Sequence, residues 1–192
     1  MSLRPWKKLA EAVVYTNPWW TYKRDACQLP TGTTGEYHYA HTNGSAMIVP
    51  LLADGRLLMV TQYRYLGARE SLEFPGGSVK DGATYDETAR HELVEETGYR
   101  ANHLVLVGAF NPCNGLTDEI CQVYLAWDLQ YVGSRPDDTE EFELLRLSPP
   151  DIEEQIRGGA IWDGMTLAAW QLVQSKSPLG LWPAPGCPSP PR

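Results

Sequence analysis

Short runs of alternating apolar and polar residues recur along most of the chain, as expected of strands with one buried face. Residues 19–23 (Trp-Trp-Thr-Tyr-Lys) and 36–39 (Glu-Tyr-His-Tyr) follow this pattern on either side of Pro30-Thr31-Gly32. They predict a hairpin-like arm ahead of the main domain. Two fuller apolar runs, Ala46–Leu52 and Leu57–Tyr63, flank Asp54-Gly55. Asp-Gly between such runs predicts a hairpin, because Gly accepts the positive φ of a tight turn. Pro50 has no N–H for a ladder, which puts the first run at an edge or a bulge. Further strands are expected at Leu104–Ala109, Cys121–Trp127 and Glu143–Leu147.

Between residues 82 and 98 the period becomes helical. Tyr85, Ala89 and Leu93 recur every four residues and give one apolar face. The helix starts near Gly82–Thr84, and Gly98 is suited to end it. A short helix is expected from Pro149-Pro150-Asp151, and a last one over Met165–Gln174 with Asp163 as its cap. Strands and helices mix without strict alternation, so the fold class is α+β or a layered sandwich. The predicted organisation is an arm over 1–44, a main domain over 45–176 and a Pro-rich tail over 177–192.

Composition narrows the function. The chain has 192 residues, of which 43% are hydrophobic, enough for one domain core. It carries 16 Lys and Arg against 24 Asp and Glu, a net charge of −8. That balance disfavours nucleic acid as a partner and suits metal cations. No run approaches the ~20 apolar residues of a membrane span. The opening Met1–Trp6 lacks the apolar core of a signal peptide. Cys27, Cys113, Cys121 and Cys187 are widely spaced, which reads as reduced thiols in a cytoplasmic protein.

The segment richest in chemistry is 77–99. At about 100° per residue, Glu92, Glu95 and Glu96 share roughly a third of the helix circumference. Like charges so placed repel one another. A divalent cation with oxygen ligands would offset this, and a solvated acidic face is the plainer alternative.

The same segment resembles a known family. Gly77, five residues, Ala83, seven residues and His91-Glu92-Leu93-Val94-Glu95-Glu96-Thr97-Gly98-Tyr99 keep the spacing of the Nudix hydrolase motif. That motif has Glu where Ala83 stands and Arg where His91 stands. Beyond it, Gln62-Tyr63-Arg64, Glu73-Phe74-Pro75-Gly76, Pro112 and Gly158–Leu167 resemble the ADP-ribose and ADP-sugar pyrophosphatases.

The resemblance implies a Nudix-type α/β/α sandwich with a mixed sheet and an N-terminal β arm. It implies metal-dependent hydrolysis of ADP-ribose or a related ADP-sugar to AMP and a sugar phosphate. The cation would be Mg²⁺, with Mn²⁺ as the alternative, held by Glu92, Glu95, Glu96 and the Gly76 carbonyl. Glu96 also counts as catalytic. Glu141, then Glu140, matches the general base of the loop before the last strand, and Glu119 is a further candidate. Arg64 would contact phosphate, Glu73 would bind or support, and Pro112 would border the substrate. Trp19 or Trp20 with Tyr37 would sandwich the adenine, with ordinary strand packing as the alternative. The implied partners are a nucleoside-diphosphate-sugar molecule and a second copy of the chain in a homodimer, with no nucleic acid and no membrane. Two other readings stand beside this one. One is hydrolysis of another nucleoside-diphosphate derivative such as GDP-mannose. The other is a sensor that binds a nucleotide without turnover, supported by Ala83 and His91 alone.

Overall fold

Residues 3–133 and 142–176 are described by the computed structural model. They fall into two compact units, one up to Gly44 with Asn111–Ile120, the other made of Ser45–Phe110 and the chain from Cys121 onward.

In the first unit, β1 (Lys7–Thr16), β2 (Thr21–Gln28) and β3 (Thr34–His41) form an antiparallel sheet in that order. Asn17 closes the first turn by accepting the Trp19 and Trp20 N–H groups, each at 2.9 Å. Sequence reasoning expects two strands here and misses β1. Two register shifts, at Lys8/Ala10 and Val13/Tyr15, interrupt its alternation, so a strict period of two does not reveal it. Residues 111–120 join this unit through an Ala40–Thr117 bridge. Asp118 lies 2.6 Å from His41 Nδ1 and accepts the Thr42 N–H at 3.2 Å.

The second unit holds two sheets. In one, β7 (Gly76–Ser78), β4 (Ser45–Pro50), β9 (Cys121–Tyr131) and β8 (Tyr99–Phe110) lie in that order. Only the β4–β9 pairing within it is parallel, so the sheet is mixed. The other sheet is antiparallel, in the order β10 (Glu143–Leu147), β5 (Leu57–Arg64), β6 (Arg69–Glu73). The helices are α1 (Tyr85–Thr97), α2 (Pro149–Gly158) and α3 (Gly164–Lys176).

The side-chain alternation of β4 sets the layers. Ala46 and Ile48 pack with Ala89 and Leu93 of α1. Met47 and Val49 point the other way, into a core with Met59, Phe74, Ile152 and Trp170. The mixed sheet is therefore sandwiched between α1 and a layer of the second sheet with α2 and α3, as the α+β sandwich reading expects. No helix among the described residues is long and apolar enough to cross a membrane.

Two local expectations are corrected. The Asp54-Gly55 turn forms, with Gly55 at φ 85° and the Leu52 N–H donated to Arg56 O at 2.8 Å. It does not start a long hairpin. A single Leu51–Leu57 bridge joins the two runs, which then enter different sheets. The reason is that β7 and β9 already occupy both edges of β4. For the same reason Pro50 is in a central strand. The Ile48 N–H goes to Pro75 O and the Leu51 N–H to Ala126 O, so alternate nitrogens face opposite neighbours. The Pro50 nitrogen faces the β7 side, beyond the last β7 pairing at Met47, where no donor is required.

Helix α1 follows its sequence closely. Thr84 and Glu87 form a capping box, and Gly98 ends the helix at φ 74°. The exchange of hydrogen bonds with the Thr84 backbone and hydroxyl holds the Glu87 carboxyl below its ordinary pKa. Asp163 caps α3 by accepting the Thr166 N–H at 2.7 Å.

Leu93→Ala empties a fully buried site under α1 and should cost about 2–5 kcal/mol in urea unfolding. Thr84→Ala removes only the cap and should cost about 1 kcal/mol. Equal losses for the two would contradict this account of what holds α1.

Candidate active site

The centre of the second unit is the crossing of the Gly76-Gly77 backbone by α1. Gly76 pairs with Met47, and a Cβ there would lie 2.5 Å from the Ala46 carbonyl oxygen. A Cβ on Gly77 would lie 2.5 Å from the Glu92 carboxylate. Two residues without side chains therefore let main chain run against the acidic face of the helix. Gly76 uses that proximity and donates its N–H to Glu96 Oε2 at 3.1 Å.

The glutamates expected to act together do share this place, in two subgroups. Glu92 and Glu95 stand with His91, and one ligand atom from each lies within 4.8 Å of the others. His91 Nδ1 is 2.8 Å from Glu95 Oε2. Glu96, buried, is directed to Gly76. Carboxylates withdrawn from water at such spacing need a positive counterpart. Hard oxygen donors on one rigid helix, beside main chain that no side chain covers, fit a divalent cation. The residues present thus suit the metal that the sequence motif implies.

Glu73, at the end of β6, is 3% exposed. Arg64 of β5 grips it with two bonds, Nε to Oε1 at 2.8 Å and Nη2 to Oε2, and Gln62 Nε2 donates to it at 3.4 Å. Antiparallel pairing of β5 with β6 brings these side chains together. The guanidinium pKa is raised by the hydrogen-bonded Glu73 first, and Asp163 and Glu96 add to the negative field. The geometry thus joins Arg64, Glu73 and Glu96 electrostatically. Asp163, read from sequence only as a helix cap, belongs to the same field. Nearby, Trp162 Nε1 donates to Glu70 O at 3.0 Å, and its ring carries the Arg69 guanidinium 4.0 Å from the centroid. Sequence reasoning missed this support because its partners are 92 residues apart.

The remaining candidates among the described residues lie in the first unit. Trp19 is 80% exposed at the β1–β2 turn, and Trp20 leans on Tyr15 with ring centroids 6.0 Å apart. Tyr37 donates its hydroxyl to Gly115 O at 3.3 Å and meets the Trp6 ring edge-on at 6.0 Å. Tyr37 pairs with Asp25, four positions along β2 from the turn, or about 13 Å. Within one chain, then, neither Trp19 nor Trp20 faces Tyr37 as a plate of one sandwich, and Trp6 is the ring beside it. Pro112 starts the turn over 112–116, and Glu119 is half-buried just beyond it. Glu140 and Glu141 lie outside the described residues.

Comparison with known proteins agrees with this geometry. A family model described as NUDIX domain matches residues 41–166, and one described as nucleoside diphosphate sugar hydrolase N-terminal domain matches residues 6–40. An ADP-ribose pyrophosphatase of Bacillus subtilis is 30% identical over 79% of this chain and 83% of that protein. A CMP-5'-(N-acetyl-N-hydroxy-3-aminopropyl)phosphonate hydrolase of Streptomyces rubellomurinus is 31% identical over 80% of this chain and 75% of that protein. A solved structure described as an ADP compounds hydrolase superposes with a TM-score of 0.81 at 22% identity, covering 94% of this chain and 98% of that one, a likeness of fold.

The two glycines should respond differently to alanine. Gly76→Ala meets rigid backbone and should cost about 1–3 kcal/mol or more in chemical denaturation. Gly77→Ala meets the end of a flexible side chain, so it should cost less stability while displacing the Glu92 carboxylate. A stability loss larger at Gly77 than at Gly76 would contradict the close approach described.

Proposed function

The chain belongs to the Nudix family and is a Nudix hydrolase, and we propose that it splits the diphosphate bond of ADP-ribose or a related ADP-sugar into AMP and a sugar phosphate. The observation that carries this is the gathering of Glu92, Glu95 and Glu96 along Gly76-Gly77. The similarity to an ADP-ribose pyrophosphatase supports the substrate. The similarly strong likeness to a CMP-phosphonate hydrolase favours a second reading, hydrolysis of another nucleotide derivative.

In this mechanism Glu92, Glu95, Glu96 and the Gly76 carbonyl would hold Mg²⁺, or Mn²⁺. When bound, the cation supplies shielding of the phosphate oxygens and a water of lowered pKa. Gly76 fixes the rotamer of Glu96 through its N–H. Glu73 locks Arg64, whose remaining donors meet a phosphate without reorganising. Glu141, or Glu140 or Glu119 in its place, accepts the proton of the attacking water. Trp19, Trp20 and Tyr37 supply aromatic surface for the base, and Pro112 borders the substrate.

Residues 1–44 act here as the arm of a homodimer, 45–176 as the hydrolase and 177–192 as a tail. Exposed Leu9, Val13, Val14 and Tyr15 on β1 support burial against a second copy. Widely spaced cysteines fit a reducing compartment such as the cytoplasm.

Incubation with ADP-ribose and Mg²⁺ should release AMP and ribose 5-phosphate, read by chromatography, and EDTA should abolish the reaction. Glu96→Gln should lower kcat by about a hundredfold or more while the fold is kept. Turnover near the wild-type level in that variant would mean the site is misassigned. Faster turnover of GDP-mannose or a CMP derivative would favour the second reading. Light scattering should give about 43 kDa, twice the 21.5 kDa chain. A 21.5 kDa species at micromolar concentration would rule out the dimer.

A further inference from the structure

The motif position before Glu92 holds His91, and what this residue touches gives it a meaning of its own. Its side chain is 62% exposed, so it is not spent on the core. The chain's other histidines are occupied differently. His38 meets Tyr22 and Glu36, His41 meets Asp118, and His103 stacks on Trp127. Among the described residues, the one group of three or more metal-ligating side chains with all ligand atoms within 4.8 Å is His91, Glu92 and Glu95.

The spacing suits ligands of one ion. Two donors about 2.1 Å from a cation and at right angles to each other stand about 3 Å apart. His91 Nδ1 and Glu95 Oε2 are 2.8 Å apart, four residues along one helix, so little rearrangement separates their present contact from shared coordination. An arginine in this position could not do the same. Its guanidinium has donors and no lone pair to offer, whereas a neutral imidazole has one. Carboxylates alone suit Mg²⁺, Ca²⁺ and Mn²⁺, and adding an imidazole nitrogen moves a site towards borderline-soft first-row cations.

We infer that His91 is a nitrogen ligand in this chain's cation site and shifts the site's preference from Mg²⁺ towards a first-row transition cation of the Co²⁺, Fe²⁺ or Zn²⁺ kind. The inference rests on the reading of Glu92, Glu95 and Glu96 as that site. It concerns binding, so it can be tested without turnover.

The test titrates the full chain, cleared of metal, with Co²⁺ and with Mg²⁺ by calorimetry. It compares wild type, His91→Gln and His91→Ala, with circular dichroism to check that each is folded. Carboxylate sites already favour Co²⁺ over Mg²⁺, so the change of the ratio on substitution is the informative quantity. Both variants should lose at least tenfold in Co²⁺ affinity while Mg²⁺ affinity changes less than threefold. Mn²⁺-loaded wild type should show nitrogen modulation in pulsed electron paramagnetic resonance, and His91→Gln should lack it. Unchanged Co²⁺ affinity, or parallel losses for both cations, would overturn the inference and leave His91 as an orienter of Glu95. Failure of wild-type protein to bind either cation at millimolar concentration would overturn the glutamate site itself.

Discussion

The close approach of a backbone strand to the acidic face of a helix is the constraint on which the second unit depends. At Gly76 no Cβ fits because the next strand's carbonyl is there, and at Gly77 a Cβ would displace the Glu92 carboxylate from its place. Both conditions must hold at once. The first locks β7 onto β4, and the second lets α1 lie over that pair with its glutamates inward. The apolar side of α1, through Ala89 and Leu93, then secures the helix to the same strand, β4. Packing and chemistry are thus two sides of one helix.

The electrostatics follow from that arrangement. Glu96 receives a main-chain N–H, Glu95 has an imidazole beside it, and Glu73 is held by an arginine. Each of these three carboxylates has a named polar partner, which is what burial of charge requires. The partners differ in kind. The N–H is fixed by the sheet and the arginine by strand pairing, while the imidazole stands on the helix itself and is largely exposed.

What could be read from the chain was what is local. Helix α1, its cap at Thr84 and its end at Gly98 are written in consecutive residues, and so is the spacing of its glutamates. The grip of Arg64 on Glu73 was not legible, because it depends on the register of β5 against β6. Strand β1 was hidden by its bulges, and the divergence of β4 from β5 by the occupancy of both β4 edges. That Trp6 is the ring beside Tyr37 within one chain depends on positions along a sheet, which side-chain type does not encode. Family resemblance supplies the glutamate roles, whereas the three charges alone favour a solvated acidic face.

The parallel pairing of β4 with β9 has a consequence for the order in which the chain can fold. Ser45 meets Cys121 and Pro50 meets Ala126, so the central strand waits for residues synthesised some 75 positions later. Until then the edges of β4 can pair only with the short β7, encoded between the two partners. One long edge of a fully buried strand stays open during that interval. Open apolar edges recruit other chains. The window between synthesis of α1 and of β9 is therefore when a nascent chain is most exposed to aggregation, and a chain that stops short of Cys121 would remain in it. Loop closure of this length also slows folding relative to a meander of the same size, since its entropy must be lost before the contact is gained. The sheet of the first unit, whose strands are joined by short turns, is free of that delay.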